Sequence, residues 1–317
     1  VRSSHHARPF LAPAAFLGDE ASQAPWDREE SLRYTRWLAT GHYENFHVVS
    51  LLLPRELHQD FYNVYSYCRW SDDLGDELGN PARSLKMLAW WRGLLQDMFN
   101  GQPPTHPVFI ALAETVAHRS LPIQPFAHLL DAFAQDQTVT RYPDWPTLED
   151  YCVRSANPVG RLVLMLCGYR DEARFQLSDS ICTGLQLANF WQDVSVDLDK
   201  GRVYLPLDLL ARHGYTEQQL LDRQDHPAIR AALREAVDYA RGFFHRGRPL
   251  VDTLDARLAL DIDLFVRGGV AILNQVAAAD YAVLRRRPRI TPPRRAALLL
   301  QALAAHLPRL WRKPRNP

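Results

Sequence analysis

Apolar residues recur at intervals of three and four along almost the whole chain, and this spacing constrains the fold more than any other feature. It is plain in "LHQDFYNVYSYC", "LKMLAWWRGLLQDMF", "IRAALREAVDYARGFF" and "FVRGGVAILNQVAAADYAVL". A helix gathers such positions on one face, where they bury together, whereas a half-buried strand needs alternation of period two. That alternation is scarce here, as are Asn-Gly hairpin signals. Pro54, Pro81, Pro122, Pro146, Pro206 and Pro227 stand where periodic segments begin, and Pro103-Pro104 marks a loop. Proline suits the first helical turn, whose N–H groups have no intrahelical partner in any case. No internal repeat, low-complexity block or interior linker breaks the pattern. The expectation is one all-α domain, a helical bundle over residues 29–290.

At 317 residues, 47% of them hydrophobic, the chain can bury a large core. Its four cysteines, Cys68, Cys152, Cys167 and Cys182, form no CxxC pair and sit among apolar neighbours. They read as reduced thiols of a cytoplasmic protein, not as a disulfide framework or zinc site. Near the start, "FLAPAAFLG" is too short and too broken by Pro13 for a signal peptide, so residues 1–28 are expected to be a disordered extension. No apolar run approaches the roughly 20 residues that span a bilayer. The formal charge of +1 hides an asymmetry: from Tyr281 onward there are ten basic residues and no acid, so the remainder is net acidic. Within that end, residues 291–317 read as a basic amphipathic helix and tail. It either packs on the body with solvated arginines or touches an anionic surface at the inner membrane. An acidic body argues against nucleic acid as a partner.

Two acidic segments carry the chemistry. "YCRWSDDLGDE" places Asp72 and Asp76 one helical turn apart with Asp73 beside them, and "NFWQDVSVDLDKGRVYLP" repeats the spacing with Asp193 and Asp197. About four such acidic pairs are expected by chance in a chain with this many acids, so spacing alone is weak. Context strengthens it. Like charges at that spacing destabilise a bare helix, which argues for a cation between them. Hard oxygen ligands suit Mg²⁺, which takes one or two carboxylates and completes its octahedron with water and phosphate oxygens. Arg69 shares the face of the first cluster, Gln186 and Asn189 lie two turns and one turn before Asp193, and Arg202 and Tyr204 follow the second cluster. Arginine forks are suited to phosphate.

With these residues in view, the chain resembles the squalene and phytoene synthases, head-to-head trans-isoprenyl diphosphate synthases. "YSYCRWSDDLGDE" is similar to their first aspartate-rich motif and "QLANFWQDVSVDLDKGRVYLP" to their second, and the likeness runs from about His42 into the 280s. More narrowly, "GHYENFHVVSLLLP", "RSANPVGRLVL" and "LANFWQDV" resemble the HpnC branch, the hydroxysqualene synthases of bacterial hopanoid pathways. The resemblance implies an isoprenoid-synthase-type bundle around a central active-site cavity. It implies that Asp72, Asp73, Asp76, Asp193 and Asp197 hold several Mg²⁺ ions bridged by diphosphate. Arg69 and Arg202, with His42 at the entrance, would bind the diphosphate. Tyr65, Arg69, Gln186, Asn189 and Tyr204 would act on the reacting substrate, and Phe46, Ala156 and Gly160 would line the cavity. "SANPVG" matches a helix break that is usually richer in glycine; a simple kink is the competing reading.

The entrance departs from the family, which usually carries a base and hydroxyls there, whereas this chain has "HYENF" with an acid at Glu44. Losing one phosphate contact fits a substrate with a single diphosphate. The leading expectation is therefore Mg²⁺-dependent conversion of presqualene diphosphate to hydroxysqualene, with water capturing the final cation and no NADPH. The alternatives are head-to-head condensation of two prenyl diphosphates, such as farnesyl diphosphate, to presqualene diphosphate, squalene or phytoene, and more remotely a non-catalytic scaffold.

Overall fold

The computed structural model describes residues 10–41 and 54–310, and among these helix dominates and no strand occurs. One isolated parallel bridge, between Arg141 and Val203, is the nearest approach to sheet. The chain divides into two compact units, residues 1–138 and 139–317, where the sequence suggests one. The boundary falls in a helix-free stretch between Gln135 and Trp145 that is too short to read as a linker.

In the first unit, α1 (Arg28–Gly41), α3 (Pro81–Phe99), α4 (Pro107–Arg119) and α5 (Gln124–Gln135) pack around α2 (His58–Asp76). Pro81 opens α3 behind Asn80, whose side chain accepts from the Arg83 N–H. The α2 face bearing Tyr67, Trp70 and Leu74 is fully buried. Trp70 stacks on Trp91 at 5.0 Å, and the ring of His106 stands edge-on to both.

Residues 10–28, part of the stretch expected as an extension, pack against the first unit. Phe16, in the short helix Pro13–Phe16, is buried and packs edge-on to Trp70 at 5.1 Å. The Tyr34 hydroxyl donates to the Leu11 carbonyl and accepts from the Trp70 indole N–H, and Trp26 donates to the Ser22 carbonyl. Three aromatic residues in a proline-broken segment give no helical period, yet each buries apolar area once the α2 tryptophan offers a surface.

In the second unit the 28-residue α8 (Glu172–Asp199) is the axis. It packs against α9 (Pro227–Gly247) and α10 (Ala256–Ala278), and against the pair α6 (Trp145–Ser155) and α7 (Asn157–Leu166). The α8–α9 approach depends on Gly247, where a Cβ would lie 2.8 Å from the Leu177 carbonyl oxygen. The last helix, α11 (Pro292–Leu310), lies on α10 with Ala302 and His306 buried. His306 Nε2 sits 3.1 Å from Asp263 Oδ2, and Arg267 Nε donates to the same oxygen at 2.8 Å. Helix α11 thus packs on α10, while Leu299, Leu300 and Leu307 remain on its exposed side. Among the described residues no helix is long and apolar enough to cross a membrane.

Candidate active site

On α2 the buried stripe through Tyr67, Trp70 and Leu74 sends Arg69, Asp72 and Asp76 toward the open side, because those positions lie between the core-facing ones. Asp72 is half-exposed and Asp76 exposed. Asp73 differs from the expected open stripe of three carboxylates: it is 5% exposed, and Arg69 Nη2 pairs with its Oδ1 at 2.6 Å, while Nη1 stands 3.9 Å from Asp72 Oδ2. Burial pushes the Asp73 carboxyl up, and Arg69 opposes the shift. Position 73 falls next to the core stripe, so Asp73 anchors Arg69 where the sequence suggests a metal ligand. Tyr65, one turn before Arg69, is half-buried, and burial raises its phenol while Arg69 lowers it. The neighbouring Cys68 thiol is pushed up to about 12 by burial, consistent with an inert reduced cysteine.

On α8, Gln186, Asn189, Asp193 and Asp197 follow one another at helical spacing along a stripe that remains partly open, with Asn189 exposed. Its neighbours Leu187, Phe190, Trp191 and Val194 are buried. The helix stops where Gly201 turns left-handed at φ +71°. There the Arg202 N–H donates to the Asp197 carbonyl at 2.8 Å and the Gly201 N–H to Leu198 at 3.1 Å. This paired closure is why "DLDKGRVY" folds as it does: glycine tolerates the turn, and the turn brings the Arg202 backbone back to Asp197. Beyond it Val203 bonds to Thr140, and Tyr204 stacks on Phe190 at 3.8 Å with Tyr142 on its other side at 5.6 Å. The Tyr204 ring is therefore held by packing.

Electrostatics mark the same stripe. Asp197 is pushed up to about 7, first by burial and then by Asp193, with Arg202, Lys200 and Arg287 pulling it down. Asp193, 14% exposed at its side chain, is gripped by Arg287, whose Nη2 donates to Oδ2 at 3.0 Å and whose Nε donates to Oδ1. Sequence reasoning missed this role for Arg287, counting it only among the basic residues of the chain end; 94 positions separate the partners and no local pattern links them.

The break in "SANPVG" is present: α6 ends at Ser155, α7 begins at Asn157, and Ala156 between them leaves helical geometry at φ −121°. Ala156 is buried, and Asn157 accepts from the Thr183 hydroxyl at 3.0 Å. Gly160, expected to line a cavity, instead serves the α7–α8 crossing, since a Cβ there would lie 2.4 Å from Ser178 Oγ and 2.5 Å from Cys182 Sγ. His42, Glu44 and Phe46 lie outside the described residues.

The donor set fits magnesium. Each unit presents hard carboxylate oxygens at i, i+4 spacing beside an arginine, and Asp197 carries a raised affinity for positive charge that a cation would satisfy. Among the described residues no three His, Cys, Asp or Glu side chains gather as a self-sufficient metal site.

A helical fold with acid–arginine stripes of this kind on two of its helices is of the isoprenoid-synthase type. The chain belongs to the squalene/phytoene synthase family, whose model matches residues 39–294. It is similar to the crystal structure of squalene synthase HpnC from Alicyclobacillus acidocaldarius, with 40% identity and a TM-score of 0.77 over 82% of this chain and 97% of that one. Hydroxysqualene synthase of Rhodopseudomonas palustris is 34% identical over 242 residues, covering 75% of this chain and 80% of the relative. Phytoene synthase of Thermus thermophilus is 31% identical over 270 residues, covering 84% and 91%.

Proposed function

We propose that the chain is a magnesium-dependent synthase that converts presqualene diphosphate to hydroxysqualene and diphosphate. The observation that supports the choice of step is the gradation of likeness: 40% identity to squalene synthase HpnC and 34% to a hydroxysqualene synthase, against 31% to a phytoene synthase. Asp72 and Asp76 on α2 would hold metal in the first unit, Asp193 and Asp197 on α8 would hold metal in the second, and Asp73 would hold Arg69. Bound magnesium supplies Lewis-acid neutralisation of the diphosphate oxygens.

The chain's own groups account for the rest. The C–O bond breaks with its electron pair leaving on the diphosphate, and Arg69 and Arg202 offset the charge that develops there. Fixed donors lower the barrier because they need no reorganisation during ionisation. Gln186 and Asn189 orient the substrate from the α8 stripe. The aromatic face of Tyr65 stabilises the rearranging cation through its ring quadrupole, whereas Tyr204, whose ring is packed against Phe190 and Tyr142, would act through its hydroxyl. Water then forms the new C–O bond and loses a proton. No hydride is required, so NADPH is not.

Incubation of purified protein with Mg²⁺ and presqualene diphosphate, followed by product identification, tests the assignment. Hydroxysqualene formation without NADPH is expected. Efficient consumption of farnesyl diphosphate alone would instead favour the condensing reading, which the broad similarity to phytoene synthases supports. We further propose peripheral contact with anionic lipid through α11, supported by Leu300 at 66% exposure and the exposed Arg294 and Arg295. Sedimentation with anionic but not neutral vesicles is the expected outcome, and equal partition onto both rejects the electrostatic attraction.

A further inference from the structure

Asp193 is already neutralised by a cation of the chain itself. The Arg287 guanidinium reaches it from the segment between α10 and α11 and engages both carboxylate oxygens, so a metal ion would have to share them with a cation already in place. The segment is fixed independently of this pair. Gln192 donates to the Pro288 carbonyl at 2.7 Å, and Arg223 donates to the Leu284 carbonyl at 3.3 Å and to Ser195 on α8 at 3.2 Å. Losing the Arg287 side chain would therefore leave the backbone around it in place. Arg287 also borders a cavity of about 760 Å³ whose rim carries Gln275, Arg285, Arg286, Arg289 and Thr291. A guanidinium released from Asp193 would join a strongly cationic rim suited to a polyanion.

We propose that Arg287 is a built-in counter-ion that withholds Asp193 from metal until diphosphate is present, and that its guanidinium then passes from the carboxylate to the diphosphate. This rests on the proposed function and adds a residue and an order of events to it. Two cations competing for one carboxylate repel each other, so metal alone binds poorly while the pair stands. An arriving diphosphate removes the competition by giving the arginine a better-charged partner. Metal and diphosphate binding are thereby coupled, with Arg287 as the positioning residue between them.

Equilibrium binding on the full chain separates the two halves of the claim. The first measurement is Mn²⁺ affinity without any anion, by electron paramagnetic resonance of free ion. The second is affinity for inorganic diphosphate at saturating Mg²⁺, by calorimetry. Arg287→Gln is expected to bind Mn²⁺ about tenfold more tightly than wild type, and magnesium diphosphate about tenfold more weakly, each equivalent to ~1.4 kcal/mol. Arg257→Gln, which removes the same charge from an exposed site on α10, should change neither. Circular dichroism confirms that the variants fold. Unchanged or weaker Mn²⁺ binding by Arg287→Gln overturns the proposal, as does undiminished diphosphate binding. If wild type binds both ligands and Arg287→Gln alters neither, this inference alone falls. If wild type binds neither, the proposed function falls with it.

Discussion

Replacing Asp197 with asparagine is expected to stabilise the metal-free protein above neutral pH and to remove its response to metal. The folded carboxyl titrates near 7 against an ordinary value of 3.8, because burial and Asp193 oppose its charge. Between those values the folded state holds a proton that the unfolded state releases. Wild-type stability therefore falls as pH rises from about 4 to about 7, and the asparagine variant lacks this loss. About three pH units at 1.36 kcal/mol each would give ~4 kcal/mol. Partial solvent contact reduces this to about 1–2 kcal/mol, or roughly 2–4 °C in Tm for a chain of this size. Thermal unfolding in excess chelator at pH 4, 6 and 8 is the assay. The difference between variant and wild type should be near zero at pH 4 and full at pH 8. Adding Mg²⁺ with diphosphate should raise the Tm of wild type and leave the variant almost unmoved. A variant less stable than wild type at pH 8, or one whose advantage is the same at pH 4, would refute the reasoning.

Three further outcomes follow from the packing. Gly160→Ala should lower stability by about 1–3 kcal/mol in chemical unfolding, because its methyl would overlap Ser178 and Cys182 on α8. Asp261, 1% exposed and pushed up to about 8 by burial and then Asp255, has neither carboxylate oxygen hydrogen-bonded. Asp261→Asn should therefore gain stability over wild type as pH rises from about 4 to about 8, and a pH-independent difference would contradict this. Phe16→Ala should cost about 3–5 kcal/mol by opening the aromatic cluster over Trp70, whereas a truly disordered extension would tolerate it without change.

The sequence by itself determined the helical class, because a period of three to four apolar residues has one common geometric solution. It also determined the local form of the second motif. Gly201 at the end of "DLDKG" is a sequence-visible stop, and the closure it permits necessarily brings Arg202 back to Asp197. Matters that depend on what a helix face meets were decided only by tertiary structure. Asp73 reads like its neighbours, yet its angular position beside the Trp70 stripe buries it against Arg69. Gly160 reads as room for substrate, yet it is the point where α7 touches α8. Phe10, Phe16 and Trp26 have no period to announce them and become ordered only because Tyr34 and Trp70 provide a surface to cover. Arg287 is one of several similar arginines in the chain, and what singles it out is the folding of the segment after α10 back onto α8. Periodicity and capping are local, so a linear sequence displays them; burial and charge pairing across distant segments are properties of the packed chain.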